Sequence, residues 1–423
     1  MSSNNYPRVL LNAKEEKEIL QGFPWVFDNE ISHIKSRKDE KSEWKNEKLT
    51  ESSVSDGAAV EVYTKAGGFL GTGIINKKSK ITVRIIGTEH ADQIFADTFG
   101  FWEKRIASAV EIRNAYYTKE DSYRLIFAEA DLIPGLICER FYDVKINKSI
   151  LVIQFLSLSC EIFKKEILAA LEKHCSPDFI YERSDASVRE KEGLPNISQW
   201  IKSSGTPKTV IDIRENGINL EVDIENGQKT GYFLDQKFNR IEAAKFCKGK
   251  KVLDTFTHTG AFGLNAVKAG AIDVTSVDIS PEAVEMVNKN IRLNGAEKKM
   301  KAVCADVFDL LKKYEADGEK FDVIVLDPPA FTKSAKMIEK AYGGYKEINL
   351  RAMRLLKEGG ILVTCSCSHF MESNMFCDMI MHAAMDSHKR VQILEKHGAG
   401  PDHPVLLGYP KSEYLKCVIC KVI

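Results

Sequence analysis

The chain has 423 residues, 44% of them hydrophobic, and its 60 basic side chains balance 60 acidic ones. That length exceeds one ordinary domain and predicts two or three, while the neutral balance gives no global sign of a nucleic-acid partner. No apolar run reaches the ~18 residues of a membrane span, and the polar start Met1-Ser2-Ser3-Asn4-Asn5 lacks a signal-peptide core, so a cytoplasmic protein without a membrane partner is expected. The ten cysteines do not supply the two C-x-x-C pairs of a zinc site, which predicts reduced thiols and no metal.

From Arg8 to about Asp92 the apolar residues alternate in short runs. Ala59 to Tyr63 and Lys80 to Ile85 have period two and predict strands of a small β domain, residues 1–94. Gly71-x-Gly73 fits a close backbone approach. The stretch from Lys35 to Asp56 is rich in Lys, Glu and Ser and predicts a flexible insertion loop. Residues 95–213 mix the two element types and predict an α+β domain. Phe99 to Tyr117 is a helix with Phe101, Ile106, Val110 and Ile112 as its apolar points, Ser149 to Leu156 a strand, and Cys160 to Lys173 a second helix.

Residues 214–423 change rhythm to strand, turn, helix. Val252-Leu253, Val274 to Val277, Ala302 to Cys304, Val323 to Leu326 and Ile361 to Thr364 are strands. Ser280-Pro281 reads as a helix cap, and Val391 to Leu394 with Tyr414 to Val422 as a final edge hairpin. Such alternation predicts an α/β, Rossmann-like doubly wound sheet.

In that sheet type, ligands bind beyond the carboxyl ends of the strands. Asp254, Asp278, Asp306 and Asp327 each follow a strand, and together they predict carboxylates clustered at one rim. Asp278, ending the second strand, is placed to accept both hydroxyls of a ribose. Asp306 would sit near an adenine edge, or simply cap the following helix. The first turn, Asp254-Thr255-Phe256-Thr257-His258-Thr259-Gly260, lacks G-x-G-x-x-G, so a dinucleotide pyrophosphate has no cradle. It suits a nucleoside with an amino-acid tail, S-adenosyl-L-methionine, better than NAD. In Asp327-Pro328-Pro329-Ala330-Phe331 the two prolines stiffen a loop that would present the carboxylate to a planar base, with Pro329 and Phe331 against that base.

These residues resemble a known group. D-T-F-T-H-T-G-A-F from Asp254, D-P-P-A-F from Asp327, G-Y-K-E-I-N from Gly344 and Ser366-Cys367-Ser368 are similar to motifs of the ribosomal RNA large-subunit methyltransferase I family. Gly231 to Gln236 followed by Asn239-Arg240 is similar to its motif beside the cofactor. Glu129 to Leu136 and Tyr181 to Asp185 match its central domain, Gly22 to Phe27 its first domain, and Asp402-His403-Pro404 and Tyr414-Leu415-Lys416 its C-terminal stretch. Two departures stand out: Phe23 where the family usually has His, and the long polar insertion. The resemblance implies a PUA-like β barrel, a central α+β domain and a Rossmann-like class I methyltransferase domain. It implies S-adenosyl-L-methionine as cofactor, held by Phe233, Asp235, Gln236, Asn239, Arg240, Asp254, Thr255, Phe256, Thr259, Gly260, Asp278, Ile279, Ser280, Asp306, Val307, Asp327 and Pro328. It implies ribosomal RNA, 23S, as substrate, and leaves a homodimer open.

The implied product is 5-methylcytosine. Carbon 5 of cytosine is a poor nucleophile until a thiolate adds to carbon 6, so the chemistry requires a cysteine, a group that steadies the ring charge, and a base. Cys365 and Cys367 both follow the strand at Ile361. The motif match selects Cys367 as nucleophile and Asp327 as the group that holds the base, with Lys346 and His369 as candidate electropositive neighbours. Arg105, Arg113 and Arg124 are expected to touch RNA backbone. Two other readings stay open: N-methylation of guanine or adenine through the D-P-P-A-F loop without a thiolate, and a non-catalytic RNA-binding assembly protein.

Overall fold

The computed structural model describes residues 6–39, 41–203, 205, 207–227, 230–332 and 334–423. Four sheets are present among them. The first has seven strands in the order Trp25–Phe27, Ile81–Gly87, Phe69–Ile75, Ala59–Tyr63, Arg8–Leu11, Ile31–Ser36 and Lys45–Glu47. All neighbours are antiparallel except Arg8–Leu11 beside Ala59–Tyr63. A Cβ on Gly73 would lie 2.6 Å from the Arg84 carbonyl oxygen, so the expected close approach is real.

The polar insertion is not the loop its composition predicted. Lys45–Glu47 pairs with Ile31–Ser36. The Trp44 ring lies 4.7 Å from the Arg8 guanidinium and 4.8 Å from that of Arg37, and Glu47 accepts from the Ser53 backbone N–H at 2.9 Å. Cation–π contacts and a carboxylate clasp add to the small apolar burial of Leu49 and Val54.

The second sheet runs Ile197–Lys202, Phe179–Ser184, Lys148–Phe155, Leu136–Asp143, Tyr123–Phe127. Helices Thr98–Asn114 and Lys164–Cys175 pack together beside it. The first of them buries Trp102, Ile106, Ala109 and Arg113, whereas Ile112 is exposed, so its inner face is rotated from the expected one. Arg113 is buried because Asp131 receives it at 2.6 and 2.7 Å and the Asp402 carbonyl at 2.8 Å. The predicted second helix is broken at Phe163 into Leu158–Ile162 and Lys164–Cys175.

A hairpin, Val210–Glu215 with Ile218–Asp223, leads into the fourth sheet. Its order is Met300–Cys304, Asp273–Asp278, Lys251–Thr255, Phe321–Leu326, Leu356–Ser366, Lys416–Val422, Val391–His397. The first five strands are parallel, and Lys416–Val422 runs antiparallel between Leu356–Ser366 and Val391–His397, forming the expected edge hairpin. Strand order reverses between Lys251–Thr255 and Phe321–Leu326, and a crevice opens at such a switch point. Helices cover both faces, which is why these strands read as continuous Val, Leu and Ile.

The segment between the last two strands ties the sheets together. Asp402 Oδ2 accepts from the Arg124 backbone N–H at 2.8 Å, Gly400 N–H donates to the Asp235 carbonyl at 3.1 Å, and Tyr409 packs on Trp25 with ring centroids 5.1 Å apart. Among the described residues no helix is long and apolar enough to cross a membrane.

Candidate active site

The crevice at the switch point is a cavity of about 200 Å³. Its floor is the turn between Lys251–Thr255 and helix Ala261–Lys268. Phe256, His258 and Gly260 there have φ of 56°, 54° and 81°. Left-handed backbone at two residues with side chains is strained and persists only where the surroundings impose it. Asp254 imposes it from below. Its Oδ2 accepts from the Thr257 hydroxyl, from Ser276 Oγ at 2.9 Å and from Gly263 N–H at 3.0 Å. Burial pushes its carboxyl up to about 6 against those hydrogen bonds. The helix can approach because Gly263 has no side chain: a Cβ would lie 2.5 Å from Ser276 Oγ.

The four carboxylates are therefore not on one rim. Asp254 pairs with Ser276 across the sheet, two positions below Asp278, which pairs with Cys304. Asp278 lies at the crevice, with backbone N–H groups of His258 and Ser280 on its two oxygens at 2.9 and 3.0 Å. Asp306 is exposed and caps helix Val307–Ala316 through Phe308 and Asp309 N–H. Asp327 lies at the crevice and accepts from Gln236 Nε2 at 2.9 Å.

Of the expected cofactor residues, Phe233, Asp235, Gln236, Arg240, Phe256, Thr259, Asp278, Ile279, Ser280, Asp327 and Pro328 line the crevice, together with Pro329. Asn239, Asp254, Thr255, Gly260, Asp306 and Val307 do not. Asn239 braces Gln236 at 2.6 Å, Thr255 donates to the Val325 carbonyl at 2.8 Å, and Val307 is core. Thr257, His258, Phe262 and Leu415 line it and were not anticipated.

The charge of the crevice tests which cofactor fits. Three of its lining residues are carboxylates, and its guanidinium, Arg240, is committed to Glu215 at 2.7 Å and Tyr232 at 2.6 Å. A pyrophosphate would face net negative charge, whereas a sulfonium with an ammonium tail would be attracted. Phe233, Phe256, Phe262 and Ile279 supply apolar walls for a nucleoside.

A second cavity, of about 730 Å³, lies between the sheets. Its walls include Arg124, Arg183 and Lys411, Glu129 and Asp185, and the rings of Phe127, His369, Tyr409 and Tyr414. Cys367 lines both cavities. The strand carrying it ends at Ser366, so Cys367 lies just beyond the sheet and is partly exposed. Cys365 is buried, and a hydrogen bond with Cys417, then burial, pushes its thiol well above the ordinary range. Tyr414, on the large cavity, donates its hydroxyl to Asp235, on the small one.

Several expected neighbours are elsewhere. Phe331 lies 4.5 Å from the Tyr345 ring and 5.8 Å from Phe308, in an apolar cluster beside the D-P-P loop, and lines neither cavity. Lys346 pairs with Asp386 at 2.6 Å. Arg105 stacks 3.6 Å over Phe101 and Arg113 is fully buried, so of the three expected RNA contacts only Arg124 borders a cavity.

A family model described as S-adenosylmethionine-dependent methyltransferase matches residues 181–408, and one described as a PUA-like domain matches residues 9–88. The ribosomal RNA large subunit methyltransferase I of Photobacterium profundum is 38% identical over 418 residues, covering 98% of this chain and 99% of that protein. The protein of the same name from Klebsiella pneumoniae (strain 342) is 35% identical over 426 residues, covering 100% of each. A solved chain from Streptococcus mutans, provisionally assigned as a SAM-dependent methyltransferase, superposes with a TM-score of 0.78 at 22% identity, covering 98% of this chain and 99% of its own, and so shares the fold.

Proposed function

This chain belongs to the ribosomal RNA large subunit methyltransferase I family, and from that premise we propose that it forms 5-methylcytosine in 23S ribosomal RNA through a Cys367 thiolate. It is an S-adenosylmethionine-dependent methyltransferase. The relatives' names supply ribosomal RNA as the substrate class. The observation that carries the cytosine reading is the position of Cys367 on both cavities, one acidic and nucleoside-sized, the other wide and partly cationic.

S-adenosylmethionine would supply an electrophilic methyl in the small crevice, with Asp278 on its ribose hydroxyls. A cytosine extruded from the RNA would enter the large cavity. Cys367 Sγ would add to carbon 6, and the electron pair of the 5,6 double bond would become available at carbon 5 to displace the methyl from the sulfonium, releasing S-adenosylhomocysteine. Loss of the carbon-5 proton to a base and departure of Sγ restore the aromatic ring. Asp327 holds the base edge and steadies the charge of the adduct. The divisions at 94/95 and 213/214 belong to the same reading, with the first two segments holding RNA and the third the chemistry.

The test is direct. Purified protein, S-adenosylmethionine and unmodified large-subunit RNA are incubated and the nucleosides analysed by mass. The expected product is 5-methylcytidine; an N-methylated purine would replace this reading with the thiolate-free one, and no product would favour a binding protein.

A further inference from the structure

Lys416 opens the strand Lys416–Val422 directly across from Ser366, the last residue of the strand that delivers Cys367. Its side chain is buried. The ammonium donates to the Ser368 carbonyl at 2.6 Å and to the Tyr414 carbonyl at 2.7 Å. Ser368 follows Cys367 and Tyr414 borders the large cavity, so one cation ties the turn that carries the thiol to the segment that enters the facing strand.

An ammonium withdrawn from water normally requires an anion beside it. Among the described residues Lys416 makes no ion pair within 4.0 Å; Glu372 and Glu413 share a cleft with it, and they and Cys367 all favour its charged form. Besides Lys416, the groups around Cys367 include Tyr345, His369, Tyr414, Arg183 and Lys411 on the large-cavity side and Asp327, Asp235 and Asp278 on the crevice side. Asp327 opposes a thiolate, and Tyr345 stays neutral, because burial pushes its hydroxyl up to about 12. Burial lowers Lys416 to about 8, with the Cys367 charge opposing that fall, so the amine is still mainly cationic at neutral pH.

We propose that Lys416 is the positioning residue for the nucleophile: its buried ammonium anchors the turn after Ser366 and holds the Cys367 sulfur as a thiolate. The thiol proton leaves to solvent, and the sulfur charge it leaves behind adds to the field of Glu372 and Glu413 around the Lys416 ammonium. This rests on Cys367 being the nucleophile. It differs from the expectation that Lys346 or His369 would supply the positive field.

The experiment follows iodoacetamide alkylation of the full chain against pH, reading the Cys367 peptide by mass. An ordinary thiol has its midpoint near ~8.5. Wild type is expected at least about one pH unit lower. Lys416→Met should raise the midpoint by about one unit and slow alkylation at pH 7 about tenfold, and Lys416→Arg should restore most of the rate. Melting curves and S-adenosylmethionine affinity report whether the variants fold. A wild-type midpoint at or above ~8.5 overturns the proposal even if Lys416→Met does not fold. Equal midpoints in folded wild type and Lys416→Met overturn it too, since anchoring alone would not move them. Trapping with 5-fluorocytosine RNA separates the two failures. An adduct with an ordinary midpoint removes Lys416 alone. A low midpoint without an adduct removes the cytosine reading and, with it, the role of Lys416.

Discussion

The two cavities that meet at Cys367 are built in opposite ways. The small crevice is assembled from the ends of neighbouring parallel strands and the turns that follow them, with Asp278, Asp327 and the strained turn at Phe256 fixed by short hydrogen-bonded circuits. The large cavity borrows Arg124, Gln154 and Arg183 from the middle sheet, Ala330 and His369 from the catalytic sheet's loops, and Tyr409 and Lys411 from the segment that grips the first sheet. The crevice is built from residues 233–415 alone, whereas the cavity exists only where the second sheet, the fourth sheet's loops and the 409–414 segment meet. A transferase that takes a small diffusible cofactor and a large folded acceptor can tune the second without disturbing the first.

That contrast can be broken at four points. Cys367→Ala should lower methyl transfer by more than about a thousandfold while leaving S-adenosylmethionine and RNA affinities within about twofold; Cys365→Ala should keep most of the rate. Retention of activity in Cys367→Ala would divorce the shared wall from the chemistry. Beneath the crevice, Asp254 has its carboxyl raised to about 6 by burial. A raised acid contributes stability below its unfolded value, about 4, that is lost as pH rises through about 6, roughly 3 kcal/mol in all. Denaturant curves at pH 4.5 and 7 should therefore converge in Asp254→Asn, and an unchanged pH dependence would show that the carboxyl is not buried as charge. Within the crevice, Asp278→Ala should weaken S-adenosylmethionine binding about thirtyfold by calorimetry, with RNA affinity untouched. In the cavity, Arg183→Ala should do the reverse, weakening RNA about fivefold and reducing the salt slope by about one, with cofactor affinity unchanged. If Arg183→Ala moved cofactor affinity as much as RNA affinity, the two compartments would not be separable.

The same contrast decides what could be read from the chain. The crevice was legible because its residues are contiguous in sequence: 233–236, 256–259, 278–280 and 327–329 each sit at a strand end or a turn. What failed there was depth. Asp254 looks like Asp278 on the page, but parallel register puts it two residues deeper, where it holds the turn from inside. The cavity was illegible because no periodicity links Arg124, Gln154 and Tyr409. Lys416 carried a signal, in the Tyr414-Leu415-Lys416 motif, but its place across from Ser366 depends on the antiparallel last strand. Phe331 was misjudged because an aromatic after D-P-P suits a stacking role, whereas Tyr345 and Phe308 bury it. The 35–56 segment was misjudged because Trp44 between two Arg side chains, with Leu49 and Val54 on the core, orders a stretch whose composition is mostly polar.

The central claim is that Cys367 attacks the base, and covalent trapping tests it most directly. Large-subunit RNA transcribed with 5-fluorocytidine and incubated with S-adenosylmethionine should give a one-to-one protein–RNA adduct by intact mass, because fluorine at carbon 5 blocks the proton loss that releases the sulfur. The adduct should form in Cys365→Ala and vanish in Cys367→Ala. Methyl transfer to ordinary RNA with no adduct on the fluorinated RNA, or an adduct that survives Cys367→Ala, would contradict the account.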